Sequence, residues 1–467
     1  SRFEGARQLT TTYPMMKRRQ PIQNRRTRLG AVLTTSAALL LLGSINPALA
    51  GKGKGGGGKP GGGGGDNPPP PEIGDLPLVA DTGIQYSVTV LDGIDDASPT
   101  APWAIYSEVK VYLEDINKHG VACGEIHAPV EAGLRSAFAI IATADGGITA
   151  LDEIFADALV QPEFSGLYIS GAWEINERGQ IACDLSGDDS GNVYIAVGDL
   201  GSGSLTLVNT VANSIYGWPG AGPARDLNES GDIISYERAY VTTGHKNGKG
   251  GYQTTYWLNI ADGIGGWSAP VALTGVRGSA QINNAPLQLA YVADDSTLRR
   301  LDFSLEEELV IDDFSSLSGS YELALQITDE GAVYYMKTVE TGTGRQGYPV
   351  RWTPAGGLQA LAPLQDPNSG PMVTVIDASE AVAGSETIEA LIGPTYTTTF
   401  DLHIYHADEG VGTLYPIEVP GADTSGTLWY RATAISRPDA SGHGVVCGWA
   451  TVSTNERGAF ILTPIAP

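Results

Sequence analysis

A turn motif that keeps returning constrains this chain more than any other feature. DINKHGVACGE begins at Asp115, EINERGQIACD at Glu174 and DLNESGDIISY at Asp226. Each joins an apolar residue, Asn, two polar residues and Gly to a second apolar run. Alignment on the Asn gives Asn117, Asn176, Asn228, Asn283, Thr328, Asp377 and Ser441. The last is placed by Gly444-Val445-Val446-Cys447-Gly448, which mirrors Gly120-Val121-Ala122-Cys123-Gly124. Seven units therefore follow one another at a mean spacing of about 54 residues. A repeat of that length is one supersecondary piece that cannot cover its apolar faces alone, which points to a propeller or a solenoid.

The first unit reads as four strands: Val109 to Ile116, Val121 to Ile126, Ser136 to Ala142 and Ile148 to Leu151, with a tight turn at Asn117-Lys118-His119-Gly120. Gly supplies left-handed backbone angles there, and Asn tolerates them while hydrogen-bonding its own backbone, so Asn117 is read as structural. Four antiparallel strands make a propeller blade. The expectation is an all-β, seven-bladed β-propeller, six or eight blades being compatible with the spacing. The chain's 61 Gly and 20 Tyr against 4 Met agree with turns and strands.

Closure is also legible. Arg457 to Leu462 copies Arg135 to Ile140, the third strand of a blade, and Tyr86 to Leu91 resembles a fourth. Pairing of Tyr86 to Leu91 beside Ala459 to Leu462 would join first and last blades and remove two open edges.

The start reads as an export signal over residues 1–50: basic Lys17 to Arg28, apolar Leu29 to Gly43, and a cleavage-like Ala48-Leu49-Ala50. Residues 51–82 are a Gly- and Pro-rich tether, leaving 83–467 as the repeat domain. Gly53 to Lys59 mimics a phosphate loop, but Pro60 stands where a magnesium-binding hydroxyl belongs. Net charge is −25, and beyond residue 50 there are 52 acidic against 20 basic side chains. Such a field disfavours nucleic acid and anionic lipid. The expected state is an exported monomer, periplasmic or extracellular, with no membrane span after cleavage.

These residues resemble the HAF-repeat proteins, an exported bacterial family named for a His-Ala-Phe step after the Ile-Asn-x-x-Gly turn. The likeness runs from about Tyr86 to Leu462. It is strongest in Asp115 to Gly124, Glu174 to Ala182, Arg351 to Leu358 and Arg457 to Phe460, with Ser136 and Gly458 where the family has His. It implies an exported repeat protein and brings no established reaction.

Candidate chemistry is thin. Cys123, Cys183 and Cys447 follow the turn, Cys183 one register later and so on the other face, and buried free thiols are expected. Trp103, Trp218 and Trp267 lie in predicted loops and are candidate binding-rim residues, whereas Trp173, Trp257, Trp352 and Trp429 fall in strands and should pack. His119 and His443 precede a Gly in units one and seven, where two imidazoles could face a ligand or share a metal. Asp401, His403, His406 and Asp408 cannot all converge on one strand. Asp184, Asp188, Asp189 and Asn192 are expected to crowd the loop after unit two's second strand, and their hard oxygens would suit calcium. No hydrolase nucleophile elbow is present. The expected function is a non-catalytic module binding a protein or glycan through blade loops. The alternative is a hydrolase or lyase with an acidic or metal site at the central channel.

Overall fold

The computed structural model describes residues 77–465 except 107, 130–134, 146, 188–191, 213–223, 243–249, 285, 315–324, 342–343, 362–372, 381–387, 395–400, 409–410, 421–428, 439–441 and 452–456. The expected signal, most of the tether, Trp218, Asp188, Asp189 and Ser441 lie outside these residues.

The protein is a β-propeller. Lys110–Ile116, Val121–His127, Ala137–Thr143 and Gly147–Ala150 pair in chain order and antiparallel, forming blade 1. The same order recurs from Tyr168–Ile175 to Ser204–Ala212, Ala224–Leu227 to Val271–Leu273, Val276–Ile282 to Glu307–Asp313, Leu325–Ile327 to Gly357–Ala360, and Val373–Glu380 to Val411–Glu418. Trp429–Ile435, Val446–Thr451 and Arg457–Pro464 form a seventh unit, and its outer strand is Ile84–Leu91 from the other end of the chain. Tyr86 pairs with Pro464 and Leu91 with Ala459, the pairing expected from the sequence. Ile84 and Gln85 also run parallel to Ile417 and Glu418, and Leu78–Val79 parallel to Thr413 and Leu414. This one segment thus stitches blade 6 to blade 7.

The core is shared between neighbours, as a repeat that cannot cover its own faces requires. Seven apolar clusters each fill one junction, from Leu113 and Ile461 between blades 7 and 1 to Leu391 and Phe460 between blades 6 and 7. Innermost strands touch in chain order, and that of blade 7 touches that of blade 1.

The repeated Asn does more than turn the chain. Positive φ belongs to Gly120, Gly179, Gly231 and Gly331, not to the Asn. Instead Asn117 Oδ1 accepts the amides of His119 and Val121, while its Nδ2 donates to Asn176 O in the next blade. Asn176 donates to Asn228 O, Asn228 to Asn283 O and Asn283 to Thr328 O. Two positions in the sequence alignment are corrected by this geometry. Asp377 follows the strand irregularity as Asp115 does, so it matches Asp115, not Asn117. In blade 7 the counterpart of Asn117 is Ser436, whose amide donates to Val445 O as Asn117's does to Val121 O. A purely local repeat could not reveal the shift, because the Gly-Val-Val-Cys-Gly match fixes the second strand and leaves the turn length free.

Two stability predictions follow from these bonds. Asn228 makes two side-chain acceptor bonds to its own turn and donates to Asp232 and Asn283. Asn228→Ala is expected to cost about 2–4 kcal/mol by chemical denaturation, at roughly 1 kcal/mol per buried bond plus orphaned groups. Fully buried Tyr86 donates to Gly444 O. Tyr86→Phe should cost about 1–3 kcal/mol and Tyr86→Ala about 3–5 kcal/mol, whereas an unchanged melting temperature in both would show that the terminal strand does not hold the ring.

Candidate functional site

The residue two places before the Asn, acidic in blades 1 to 3, points to the middle of the ring. Asp115, Glu174, Asp226 and Asp377 hold this position in blades 1, 2, 3 and 6. Gln281, Gln326 and Ala434 hold it in blades 4, 5 and 7. The carboxyls of these four blades feel one another across the axis. Burial pushes Asp115 up to about 6 against the hydrogen bonds it accepts, and Asp226 up to about 7, with the charge of Asp115 adding to the rise. Burial, then the charges of Asp115, Asp226 and Asp377, hold Glu174 well above the carboxylate range, and Asp377 is raised in the same way. Glu174 shares a hydrogen bond with Asp115. Two carboxyls so placed favour holding a proton, and the bond raises Glu174 while it lowers Asp115.

Three of these acids also hold blades together. Asp115 Oδ2 accepts the amide of Ile175 at 2.7 Å and Asp377 Oδ2 that of Ile435 at 2.9 Å, and Asp226 accepts the amide of Ile282. Each reaches the innermost strand of the following blade.

A second tier lies at the turns. The amide of Lys118 donates to Glu177, that of Glu177 to Glu229, that of Glu229 to Asn284 and that of Asn284 to Asp329. Arg437 of blade 7 reaches over to Asp329 of blade 5 at 3.4 Å and Glu229 of blade 3 at 4.0 Å. Its guanidinium stands at the turn end of the axis among the carboxylates. Burial nevertheless raises Glu177.

The candidate residues disperse when placed in this frame. His119 is exposed in the blade 1 turn. His443 instead donates to Glu389 at 2.7 Å, as does His406 at 3.3 Å, and the two rings lie 6.3 Å apart. Glu389 is fully buried at the junction of blades 6 and 7. Burial would raise it, yet the bonds from His406, His443 and the Gly444 amide bring it below the ordinary range. Sequence reasoning had His406 and His443 but not Glu389, because a Glu in a β-strand carries no mark of what crosses the next blade boundary. Trp103 is corrected: it is fully buried, its indole donating to Gly93 O, and cannot line a binding rim. The segment after the closing strand folds back over blade 1, which a loop-like sequence does not disclose. Trp267 is half-buried and donates to Gly231 O beside the blade 3 turn. Asp184 is corrected as well: it lies inside a strand, 3% exposed, and accepts the Trp173 indole N–H at 2.7 Å, while Asn192 opens the next strand. Among the described residues no group of three or more His, Cys, Asp or Glu is placed to hold a metal. The three cysteines are free and buried, with thiols raised by burial.

No family model and no curated protein matches the chain. Solved structures resemble it at low identity. The β-propeller domain of the trilobed protease from Pyrococcus furiosus matches at 9% identity and a TM-score of 0.45, covering 76% of this chain and 94% of that one. U3-55K matches at 11% and 0.42, covering 81% and 98%. An oligogalacturonate lyase from Vibrio parahaemolyticus matches at 11% and 0.41, covering 82% and 98%. Superpositions this loose bear on no question of chemistry.

The axial acids set a pH dependence. Their folded pKa values lie above the unfolded ones, so the native state binds protons more tightly and stability falls as pH rises from about 4 to about 7. Glu389 has the opposite sign but acts only below its unfolded value near 4.5. Denaturation at pH 5 should therefore give a higher midpoint than at pH 7.5. Glu174→Gln should flatten that difference and leave stability at pH 7.5 equal or higher, since it removes a charge from a crowded cluster. A midpoint rising from pH 5 to 7.5 would contradict the axial clustering.

Proposed function

We propose that this is an exported β-propeller interaction module without a catalytic centre, binding a protein or glycan through loops on the face that carries the repeated turns. The observation behind the reading is that Asp115, Asp226 and Asp377 are engaged by backbone amides of the next blade. Each of these carboxylates spends an oxygen on the next blade, so its place in the fold is accounted for by the junction it holds. Binding then falls to loops on a rigid scaffold. Residues 261–268 are the best-formed example: Asp262 Oδ1 accepts the amides of Ile264 and Gly266, Ala261 bridges Trp267, and Ile264 is 91% exposed. Export rests on the basic and apolar order of residues 17–50 and on the HAF-repeat likeness of the turns. No helix among the described residues is long and apolar enough to cross a membrane.

The second reading, a hydrolase or lyase with an axial acidic site, is favoured by the hydrogen-bonded Asp115 and Glu174 pair, one proton-bearing and one able to accept. A polysaccharide array read for both capture and release of new reducing ends separates the two. On the proposed function, capture occurs without cleavage, survives Glu174→Gln and drops at least tenfold in Ile264→Glu. Cleavage abolished by Glu174→Gln would establish the enzyme instead.

A further inference from the structure

At the end of the innermost strands away from the repeated turns, the junction of blades 7 and 1 gathers basic side chains in a strongly acidic protein. Lys110 opens the innermost strand of blade 1, and its Cα is paired directly with that of Arg457. The Arg457 guanidinium lies 4.4 Å from the ring centre of Trp449 and 5.1 Å from that of Tyr112, to whose hydroxyl Nη1 donates at 2.8 Å. Arg431 stands over the same Trp449 ring at 5.8 Å. Trp449 is 4% exposed, so the stack is a rigid wall and not a sliding surface. His127 packs on Tyr112 with ring centres 4.9 Å apart, and its Nε2 lies 2.7 Å from Glu125, though at an angle that makes no hydrogen bond.

Arg135, Arg299, Lys337 and Arg437 each have a carboxylate partner, as abundant acids would lead one to expect. Arg457 and Lys110 have none among the described residues, although Glu114 shares the strand of Lys110 and Glu125 lies on the strand beside it. Like charges placed directly opposite on neighbouring strands are destabilising, and a bound anion would relieve that repulsion. Arg457 also uses one hydrogen bond to fix its plane, which leaves the guanidinium edge formed by Nε and Nη2 oriented for a planar, two-oxygen acceptor.

We propose that Arg457, with Lys110 beside it, binds the carboxylate of a short acidic sugar at the junction of blades 7 and 1. The geometry favours carboxylate because a forked, stacked guanidinium matches two coplanar oxygens. It favours a small, singly or doubly charged ligand because the protein's net charge of −25 repels long polyanions. The half-buried Tyr112 and His127 rings give a sugar ring a flat neighbour. The site is separate from the turn face and does not depend on which loops bind there.

Calorimetric titration at low salt tests it with three probes: a glucuronate-containing disaccharide, the same disaccharide with its carboxyl reduced to the alcohol, and a Glu-rich hexapeptide. The acid disaccharide is expected to bind at least tenfold more tightly than either other probe and to weaken as salt rises. Arg457→Lys, which keeps the charge and loses the fork, should weaken it about tenfold, and Lys110→Gln by several-fold. Lys110→Gln leaves the aromatic stack intact, so it still reports if an Arg457 variant fails to fold. Equal binding of the reduced disaccharide, tighter binding of the peptide, no binding of any probe, or unchanged affinity in Lys110→Gln and folded Arg457→Lys would each overturn the assignment.

Discussion

One side chain, the Asn that ends the innermost strand in blades 1 to 4, ties local turn to neighbouring blade. A primary amide carries two acceptor sites and two donors on one plane. In blades 1 to 4 its oxygen closes the turn of its own blade, and its nitrogen donates to the backbone of the next. These bonds are buried, where an unmatched amide is expensive, so each turn is stable only with the following blade in place. The cooperativity of the ring is thus built from a repeat only a few residues long.

The departures from this pattern show what else can hold a junction. Thr328 uses its hydroxyl within its own turn and has no second donor to pass on, and blades 5 and 6 instead meet through Tyr334 and Leu361 against Ile392 and Tyr405, whose hydroxyl donates to Gln359 and accepts from Arg351. Asp377 takes over between blades 6 and 7 by accepting the Ile435 amide, and Thr433 donates to Leu113 O between blades 7 and 1. The last blade gains the most from outside the repeat. Its outer strand comes from the start of the domain, and Tyr86 and Glu389 grip the two sides of the Gly444 peptide. Gly444 is required there, since a Cβ would meet Ser436 O at 2.2 Å.

What the sequence disclosed follows the range of the interactions involved. Strand, turn and the pairing of Tyr86 with the last strand are written in local apolar patterns and in self-similarity, and they were legible. The axial acids were also on view, as the Asp or Glu in DIN, EIN and DLN. Their convergence was not, because position in a ring depends on the neighbouring blade and not on the motif. Trp103 misled for a related reason: its surroundings of Pro and Ala read as a loop, and only the fold-back over blade 1 buries it. Glu389 had no local signature at all.

The same logic bears on how an acidic axis can exist in a stable protein. Ionised carboxylates gathered in a shielded space repel strongly, and proteins relieve this by protonation, by pairing or by hydrogen bonds from amides. Here the three devices are layered. Glu174 is pushed towards its protonated form, Asp115 and Asp377 each accept two backbone amides, and Arg437 stands among the turn-tier acids. One donor of each pair, the Ile175 or Ile435 amide, comes from the next blade, so that part of the relief exists only while the blades are in contact. Charge that would drive neighbouring blades apart is therefore offset, in the assembled propeller, by bonds that keep adjacent blades in register.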